Sequence, residues 1–332
     1  MCNLSDIICR VTATAAAFLI IGFTSPAVAK KPAVPPTPVP PSCDAAQPDY
    51  VVFLDDYPEG RFQLAILPCL SGAEVPIVNS RELALDLPRK LQRTFQVGNG
   101  DIYSDGNRRR IVFGGRTGSR DYWDIYQGVI DIDRALISDI RILIGTPSIR
   151  EEDPRFSSDG QWIVYKRNGE IWRVNAQDPV AVPELFHRED GCELWAPSMY
   201  ANAVTYARRC DGRSDEIVYH VEGALPQILP KLGDGPDQFA HFTQTGDVVY
   251  SHFDTSESKS SLWLYIPGAT PQFLHDETKS DDDPYAERNG NEYIVFAGWG
   301  DGRYDMYVFR KSEKNAVKIT NNIDVFGPIL FE

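Results

Sequence analysis

The residues best suited to chemistry in this chain are its histidines. Metal-dependent or acid–base catalysis needs several imidazoles or carboxylates at one place, together with a basic group when the substrate is an acid. The histidines do not stand at equivalent positions of the repeat described below, and no G-x-S-x-G nucleophile motif occurs. The sequence therefore predicts surface or strand-edge positions for them and no catalytic residue. The five are His187, His220, His241, His252 and His275.

Clustered carboxylates are the second candidate. Asp281, Asp282 and Asp283 are consecutive, and carboxylate oxygens are preferred ligands of Ca²⁺. Because the spaced D-x-[DN]-x-[DN]-G loop is absent, a solvated turn is favoured over calcium, and we expect no cofactor and no metal. Asp153, Asp237 and Asp283 each precede a short apolar run. We interpret them as a polar ring of acceptors for backbone N–H groups, which would also make the mouth of the channel negative.

These residues are positioned by a repeated unit. A strand of β-branched and aromatic residues recurs six times, at steps of 60, 52, 41, 44 and 46 residues. Each copy is followed by a polar turn, often with Gly, and then by another strand. Repeats of this length with four short strands predict a β-propeller. The copies begin at Val51, Ile111, Ile163, Val204, Val248 and Ile294.

The predicted fold is all-β, with six blades of four antiparallel strands over residues 45–332. No first strand precedes Val51, whereas residues 327–331 read as a first strand with nothing after it. We therefore expect the C-terminal strand to join the N-terminal blade and close the ring. Residues 81–93 could cap the first blade or supply its outer strand, and residues 131–144 could form a long outer strand or a short helix.

The segment from Asp153 to Trp172 carries a family resemblance. Its pattern, D-P-x-F-S-x-D-G-x-W-I-V-Y followed by E-I-W, resembles the repeat of TolB-type β-propellers. The segment from Asp283 to Tyr307 is the next best copy, with G-W-G-D-G-R at its polar hairpin, and the other four copies are degenerate. The resemblance covers residues 45–332, and a Pro-rich stretch stands where TolB has an α/β domain. It implies an exported propeller that serves as an interaction module.

The N-terminal segment reads as a targeting signal. In residues 1–29, Arg10 precedes an apolar run, and small residues allow cleavage after Ala29. An uncleaved anchor is the alternative, although the apolar run is short for one. Residues 30–44 form a Pro-rich linker, either a spacer or a docking peptide. We expect a periplasmic or secreted protein without stable membrane insertion after cleavage.

Cysteine number agrees with export. Cys43, Cys69, Cys192 and Cys210 remain after cleavage, and four cysteines allow three pairings. In the repeat register the first two belong to the first blade and the last two to the fourth, which predicts Cys43–Cys69 and Cys192–Cys210. Buried free thiols are the alternative. A metal site is disfavoured because no C-x-x-C motif occurs.

The net charge of the chain excludes some kinds of binding partner. The chain has 47 acidic and 33 basic residues, a net charge of −14, which disfavours nucleic acid and anionic membranes as partners. A basic protein segment or a cationic ligand suits this field better. We predict a monomeric, non-catalytic module that binds a segment of an envelope protein at the mouth of the propeller channel. The alternative is a carbohydrate-active or other small-molecule site in the channel, with or without a metal.

Overall fold

The computed structural model describes residues 50–57, 61–68, 81–88 and 94–331, apart from 107, 118–121, 179, 181, 277, 289, 291, 301 and 321–323. The described residues contain strands and turns and no α-helix. Among them, no helix has the length and apolarity that crossing a membrane requires. The signal segment, the linker, Cys43 and Cys69 lie outside the described residues, so the Cys43–Cys69 pairing stays a prediction.

The strands form six sheets, which we number as blades 1 to 6. From the inside outward, blade 1 consists of β25 (Val325–Phe331), β1 (Tyr50–Tyr57), β2 (Arg61–Pro68) and β3 (Arg81–Glu82). Blade 2 consists of β5 (Phe95–Asp105), β6 (Arg108–Thr117), β7 (Asp124–Asp131), β8 (Leu136–Ile144) and β4 (Ala84–Leu85). Blade 3 consists of β9 (Glu151–Phe156), β10 (Trp162–Arg167), β11 (Glu170–Asn175) and β12 (Glu184–His187).

Blades 4 to 6 follow the same order. Blade 4 consists of β13 (Cys192–Tyr200), β14 (Ala203–Cys210), β15 (Glu216–Val221) and β16 (Gln227–Ile228). Blade 5 consists of β17 (Asp237–Phe242), β18 (Val248–Asp254), β19 (Lys259–Tyr265) and β20 (Gln272–His275). Blade 6 consists of β21 (Asp281–Ala286), β22 (Tyr293–Trp299), β23 (Tyr304–Arg310) and β24 (Asn315–Lys318).

The apolar runs found in the sequence are the second strands of the blades. Successive side chains of a strand point to opposite faces, yet Ile163, Val164 and Tyr165 are all fully buried. Ile163 and Tyr165 pack with residues of blade 2, whereas Val164 packs with residues of blade 4. Each sheet therefore needs apolar side chains on both faces, because a neighbouring blade covers each one.

The ring closes as predicted. The inner strands β5, β9, β13, β17, β21 and β25 contact one another in succession, and β25 contacts β5. Strand β25 pairs antiparallel with β1, so the C-terminal strand completes blade 1. This pairing confirms the closure and removes the free edge that an open ring would expose.

Four strands per blade is correct for five of the six sheets and wrong for blade 2. The segment containing residues 81–88 leaves blade 1 after β3, and β4 then pairs in parallel with β8. Leu83 between them is buried, and its N–H donates to the Leu64 carbonyl of blade 1. The segment thus supplies the outer strand of blade 1 and a fifth strand for blade 2. Residues 136–144 form a strand, not a helix.

Candidate functional site at the propeller channel

Two faces of the propeller are distinguished by their loops. The crossover face carries the links between blades and the loops between second and third strands. The turn face carries the loops between first and second and between third and fourth strands. Inner strands therefore run from the crossover face toward the turn face. We call the opening of the channel on the crossover face the channel mouth.

Each inner strand has a bulge near the crossover face. The strand pairings shift register there in every blade. In five blades the bulged residue has a left-handed backbone, with φ between 47° and 55°. Pro follows it in four blades, which suits a bulge because Pro cannot donate to the strand ladder. In blade 2 the bulge comprises two residues, and the second, Asn99, contacts Asp153 of blade 3. We call the following six residues the bulge ring: Asn99, Asp153, Ala196, Phe239, Asp283 and Gly327.

The carboxylates of the bulge ring tie neighbouring blades together. Asp153 Oδ1 accepts a hydrogen bond from Asn99 Nδ2 at 3.1 Å, and its Oδ2 accepts from the Ala196 N–H at 3.4 Å. Asp283 likewise accepts from the N–H of Gly327. In both cases a carboxylate of one blade binds the backbone of the bulged residue in the next.

Asp237 does not belong to this ring. It lies two residues before the bulged Phe239, and its Oδ1 accepts a hydrogen bond from His252 Nδ1 at 2.7 Å within blade 5. The structure therefore brings Asp153 and Asp283 together and places Asp237 one level closer to the crossover face. The sequence held a signal for this difference, since Pro follows Asp153 and Asp283 but not Asp237.

Burial and crowding act on the Asp283 carboxyl. Burial raises its pKa above the ordinary value, and the neighbouring carboxylates of Asp153 and Asp282 add to that rise. The Arg155 guanidinium, 4.0 Å from Asp283 Oδ1, and the Gly327 N–H act in the opposite direction. The side chain of Asp283 keeps 19% of its surface exposed.

A second ring lies two residues further along each inner strand. Three of its members accept a hydrogen bond from a backbone N–H of the next blade, and the acceptors are Asp101, Ser198 and His241. The distances are 2.7 Å from the Phe156 N–H, 3.2 Å from the Phe242 N–H and 3.4 Å from the Ala286 N–H. We call this level the core ring: Asp101, Arg155, Ser198, His241, Tyr285 and Ile329.

Side chains fill the channel at the core ring. The Tyr285 hydroxyl donates to Asp101 Oδ1 at 2.7 Å, and the His241 ring stacks on Tyr285 with centroids 4.0 Å apart. The Arg155 guanidinium lies 5.5 Å from the Tyr285 ring centroid. Asp101 and Tyr285 are 0% and 1% exposed. Core-ring side chains from blades 2, 3, 5 and 6 therefore meet one another across the channel, one level below the bulge ring.

Arg288 reinforces the core ring from the turn face. Its Nη2 donates to Asp101 Oδ2 at 2.6 Å, and its Nη1 donates to the Ser157 carbonyl at 2.8 Å. The side chain of blade 6 thus crosses to blades 2 and 3. Burial acts to lower the pKa of Arg288, but Asp101 and Tyr285 outweigh it and the pKa is raised. The guanidinium stays charged and compensates the buried carboxylate.

Four of the five histidines do not lie at the surface, although His275 stands on the edge strand β20. His220, His241, His252 and His275 are buried. Burial lowers the pKa of His241 well below its ordinary value, and the nearby Arg155 and Arg288 lower it further. The imidazole is therefore neutral near pH 7, which leaves Nδ1 able to accept the Ala286 N–H.

The carboxylate run at residues 281–283 does not converge on one point. Asp281 bonds to His275 Nδ1 at 2.8 Å, and Asp282 accepts from the Tyr304 hydroxyl at 2.9 Å. Asp283 belongs to the bulge ring. The three neighbours in sequence thus have separate structural partners, as expected for consecutive residues of a strand.

The fourth-blade disulfide is present. Cys192 and Cys210 face each other across β13 and β14, with Cα atoms 4.1 Å apart. Within the described part of the chain, the group with metal-ligand spacing is Glu189 with these two cysteines. Because both sulfurs are engaged in the disulfide, this group does not fit a metal ion.

Aromatic side chains stand around the channel mouth in four blades. Trp195 contacts Phe239 of the bulge ring, with centroids 5.3 Å apart. The ring centroid of Tyr304 lies 4.9 Å from that of Trp299 and 5.5 Å from that of Phe326. All five are partly exposed. The mouth therefore combines two carboxylates with partly exposed aromatic rings, a surface suited to a cationic and partly apolar segment.

Comparison with known proteins supports the fold. TolB from Acinetobacter baumannii matches with a TM-score of 0.62 and 13% identity, covering 85% of this chain and 66% of that one. A putative TolB from Agrobacterium tumefaciens gives 0.58 and 12%, covering 75% and 87%. Oligogalacturonate lyase from Vibrio parahaemolyticus gives 0.52 and 10%, covering 82% and 74%. No protein-family model and no curated protein matches the chain. The predicted TolB-like propeller is confirmed as a fold.

Proposed function

We propose that this protein is an exported, non-catalytic binding module that holds a basic segment of a partner protein at the channel mouth. The observation that carries the proposal is the bulge ring, which presents Asp153 and Asp283 one level above the core ring. A segment with a Lys or Arg side chain would place its cation against these carboxylates. Phe239 and the aromatic residues beside it would contact the apolar part of the segment.

Export is supported by two independent features. The Cys192–Cys210 disulfide is of a kind that persists in oxidising compartments such as the periplasm. Residues 1–29 have the pattern of a cleaved signal peptide. We therefore place the partner in the cell envelope.

A carbohydrate-active site in the channel is the less favoured function. The charged groups of the core ring are engaged with one another, and Asp101 alone accepts four hydrogen bonds. His241 is buried next to Arg155 and Arg288, and two cations oppose the binding of a metal ion at its imidazole. In this arrangement the core ring holds the bulge ring in position.

Site-specific photo-crosslinking tests the binding function. A benzophenone amino acid replaces Phe239 at the channel mouth, and in a matched variant it replaces Phe273, which is 52% exposed on the outer strand β20. Irradiation in envelope extract is expected to join the Phe239 variant, and not the Phe273 variant, to one protein. Equal adducts from both positions, or none from position 239, would count against the channel mouth.

Carboxylate variants test whether the bound segment is basic. Asp283→Asn is expected to weaken capture of that partner about tenfold, since it removes a charge-assisted contact. Asp133→Asn, an exposed carboxylate in the turn between β7 and β8, is the control and is expected to change capture less than twofold. Capture should also fall when salt rises from about 50 to about 200 mM. A partner held equally well by both variants would contradict a basic segment.

A further inference from the structure

A polar cavity lies on the turn face, between blades 2 and 3. Its volume is 280 Å³, far larger than a single water needs. Three arginines and two glutamines face it, in a chain whose net charge is −14. We call it the arginine groove, lined chiefly by Arg108, Arg110, Arg141, Gln127, Gln177 and Asp139.

A bulge in an outer strand opens the groove. Gln127 pairs with Arg141 and Val129 pairs with Ser138, so Gly128 alone faces two residues of β8. One of these, Asp139, has a left-handed backbone with φ of 53°. The extra residue bends β8, as bulges do beside binding sites. The cavity is thus built into the strand pairing of blade 2.

Arg110 forms the inner wall and is held rigidly. Its side chain is 7% exposed, and its guanidinium lies 5.2 Å from the ring centroids of both Tyr103 and Phe156. Its Nη2 donates to the Gly160 carbonyl at 3.1 Å. Its Nε has no hydrogen-bond acceptor in the structure, and the nearest carboxylate, Asp105, stands 3.6 Å from it. Burial lowers the pKa of Arg110, as expected for a cation without full compensation.

The outer arginines have no carboxylate partner among the described residues. Arg141 donates to Gln127 Oε1 at 3.0 Å, and Arg108 is exposed without an ion pair. Many other arginines of the chain are paired with acids, as Arg173 is with both Glu184 and Glu222. Asp139 is the one carboxylate that lines the groove. Positive charge therefore exceeds negative charge on its walls.

We propose that the arginine groove binds a phosphate group. Planar guanidinium groups pair with phosphate oxygens through two hydrogen bonds each, and three of them here surround one cavity. The volume leaves room beyond one phosphate, and the amides of Gln127 and Gln177 would meet hydroxyl groups carried on the same molecule. The ligand is accordingly free phosphate or a phosphorylated sugar-like compound. This inference does not depend on the function of the channel mouth.

Calorimetric titration of the whole mature protein tests the proposal. Inorganic phosphate and glucose 1-phosphate are titrated separately, at ionic strength held constant with sodium chloride. Saturable binding of either is the expected result. Tighter binding of glucose 1-phosphate would assign a phosphorylated compound, and equal affinities would assign free phosphate. The absence of saturable binding up to about 20 mM of both ligands would overturn the proposal.

Arginine variants locate the site. Arg141→Gln is expected to weaken phosphate binding about tenfold and Arg108→Gln several-fold, because each removes a charged donor. Arg134→Gln is the matched control, since Arg134 is exposed on the same blade but does not line the groove. Melting temperatures without phosphate should agree within about 2 °C, as expected for surface changes. Equal weakening by Arg134→Gln would mean diffuse attraction and would reject a defined site.

Discussion

The core ring and the arginine groove both contain arginine side chains, but these are paired with an acid at the core ring and face a cavity in the groove. At the core ring, the buried Asp101 accepts a hydrogen bond from the half-buried Arg288 at 2.6 Å and another from the hydroxyl of Tyr285. In the groove, Arg141 meets only an amide and Arg108 has no ion pair among the described residues. Charges that satisfy one another hold blades together, whereas charges left facing a cavity are available to a ligand.

The difference follows from position in the ring. Inner strands converge on the axis, so a side chain of blade 6 can reach blades 2 and 3 at once. Outer strands diverge, and the bulge at Asp139 widens the gap between blades further. Geometry therefore decides whether an arginine finds an acid of its own chain.

The largest expected effect is at the core ring. Arg288→Met should lower the free energy of unfolding by about 3–5 kcal/mol, because Asp101 would remain buried without its cation. Denaturant unfolding monitored by tryptophan fluorescence measures this. Arg108→Met in the groove is the control, with an expected change within about 0.5 kcal/mol. Equal effects of the two substitutions would remove the distinction between the two regions.

An intermediate effect is expected from pH. The pKa of His241 is lowered in the folded state, so the unfolded chain takes up a proton first as pH falls below about 6.5. Stability should therefore decrease from pH 7.5 to pH 5. His241→Asn keeps an acceptor for the Ala286 N–H but does not titrate, and it should reduce that decrease by about 1–2 kcal/mol. An unchanged pH profile in the variant would show that His241 does not stay neutral in the folded protein.

The smallest effect on stability, and the sharpest on binding, is expected at Asp139. Asp139→Asn removes the carboxylate that lines the groove, and Asn tolerates the left-handed backbone there. Phosphate affinity should rise about threefold or more, with the free energy of unfolding unchanged within about 0.5 kcal/mol. Asp133→Asn on the same blade should leave affinity unchanged. A fall in phosphate affinity on Asp139→Asn would show that the carboxylate does not oppose the ligand.

The sequence by itself determined the all-β class, the repeated blade, the closing strand and the Cys192–Cys210 pair. These features are local or periodic: Asn168-Gly169 specifies a hairpin, and both cysteines belong to one antiparallel pair. A repeat also transfers information from clear copies to degenerate ones, which is why blade 4 was found despite Tyr200-Ala201-Asn202 at its turn.

Only the tertiary structure decided which residues share the channel. Asp153 and Asp283 occupy the bulged position of their strands, whereas Asp237 lies two residues before the bulge of its strand and binds His252 instead. The burial of His241 and the cavity beside Arg110 depend on packing between neighbouring blades, and Arg288 reaches a blade 187 residues away in sequence. Local patterns specify the strands, but packing around a closed ring decides which charges meet and which remain open to a ligand.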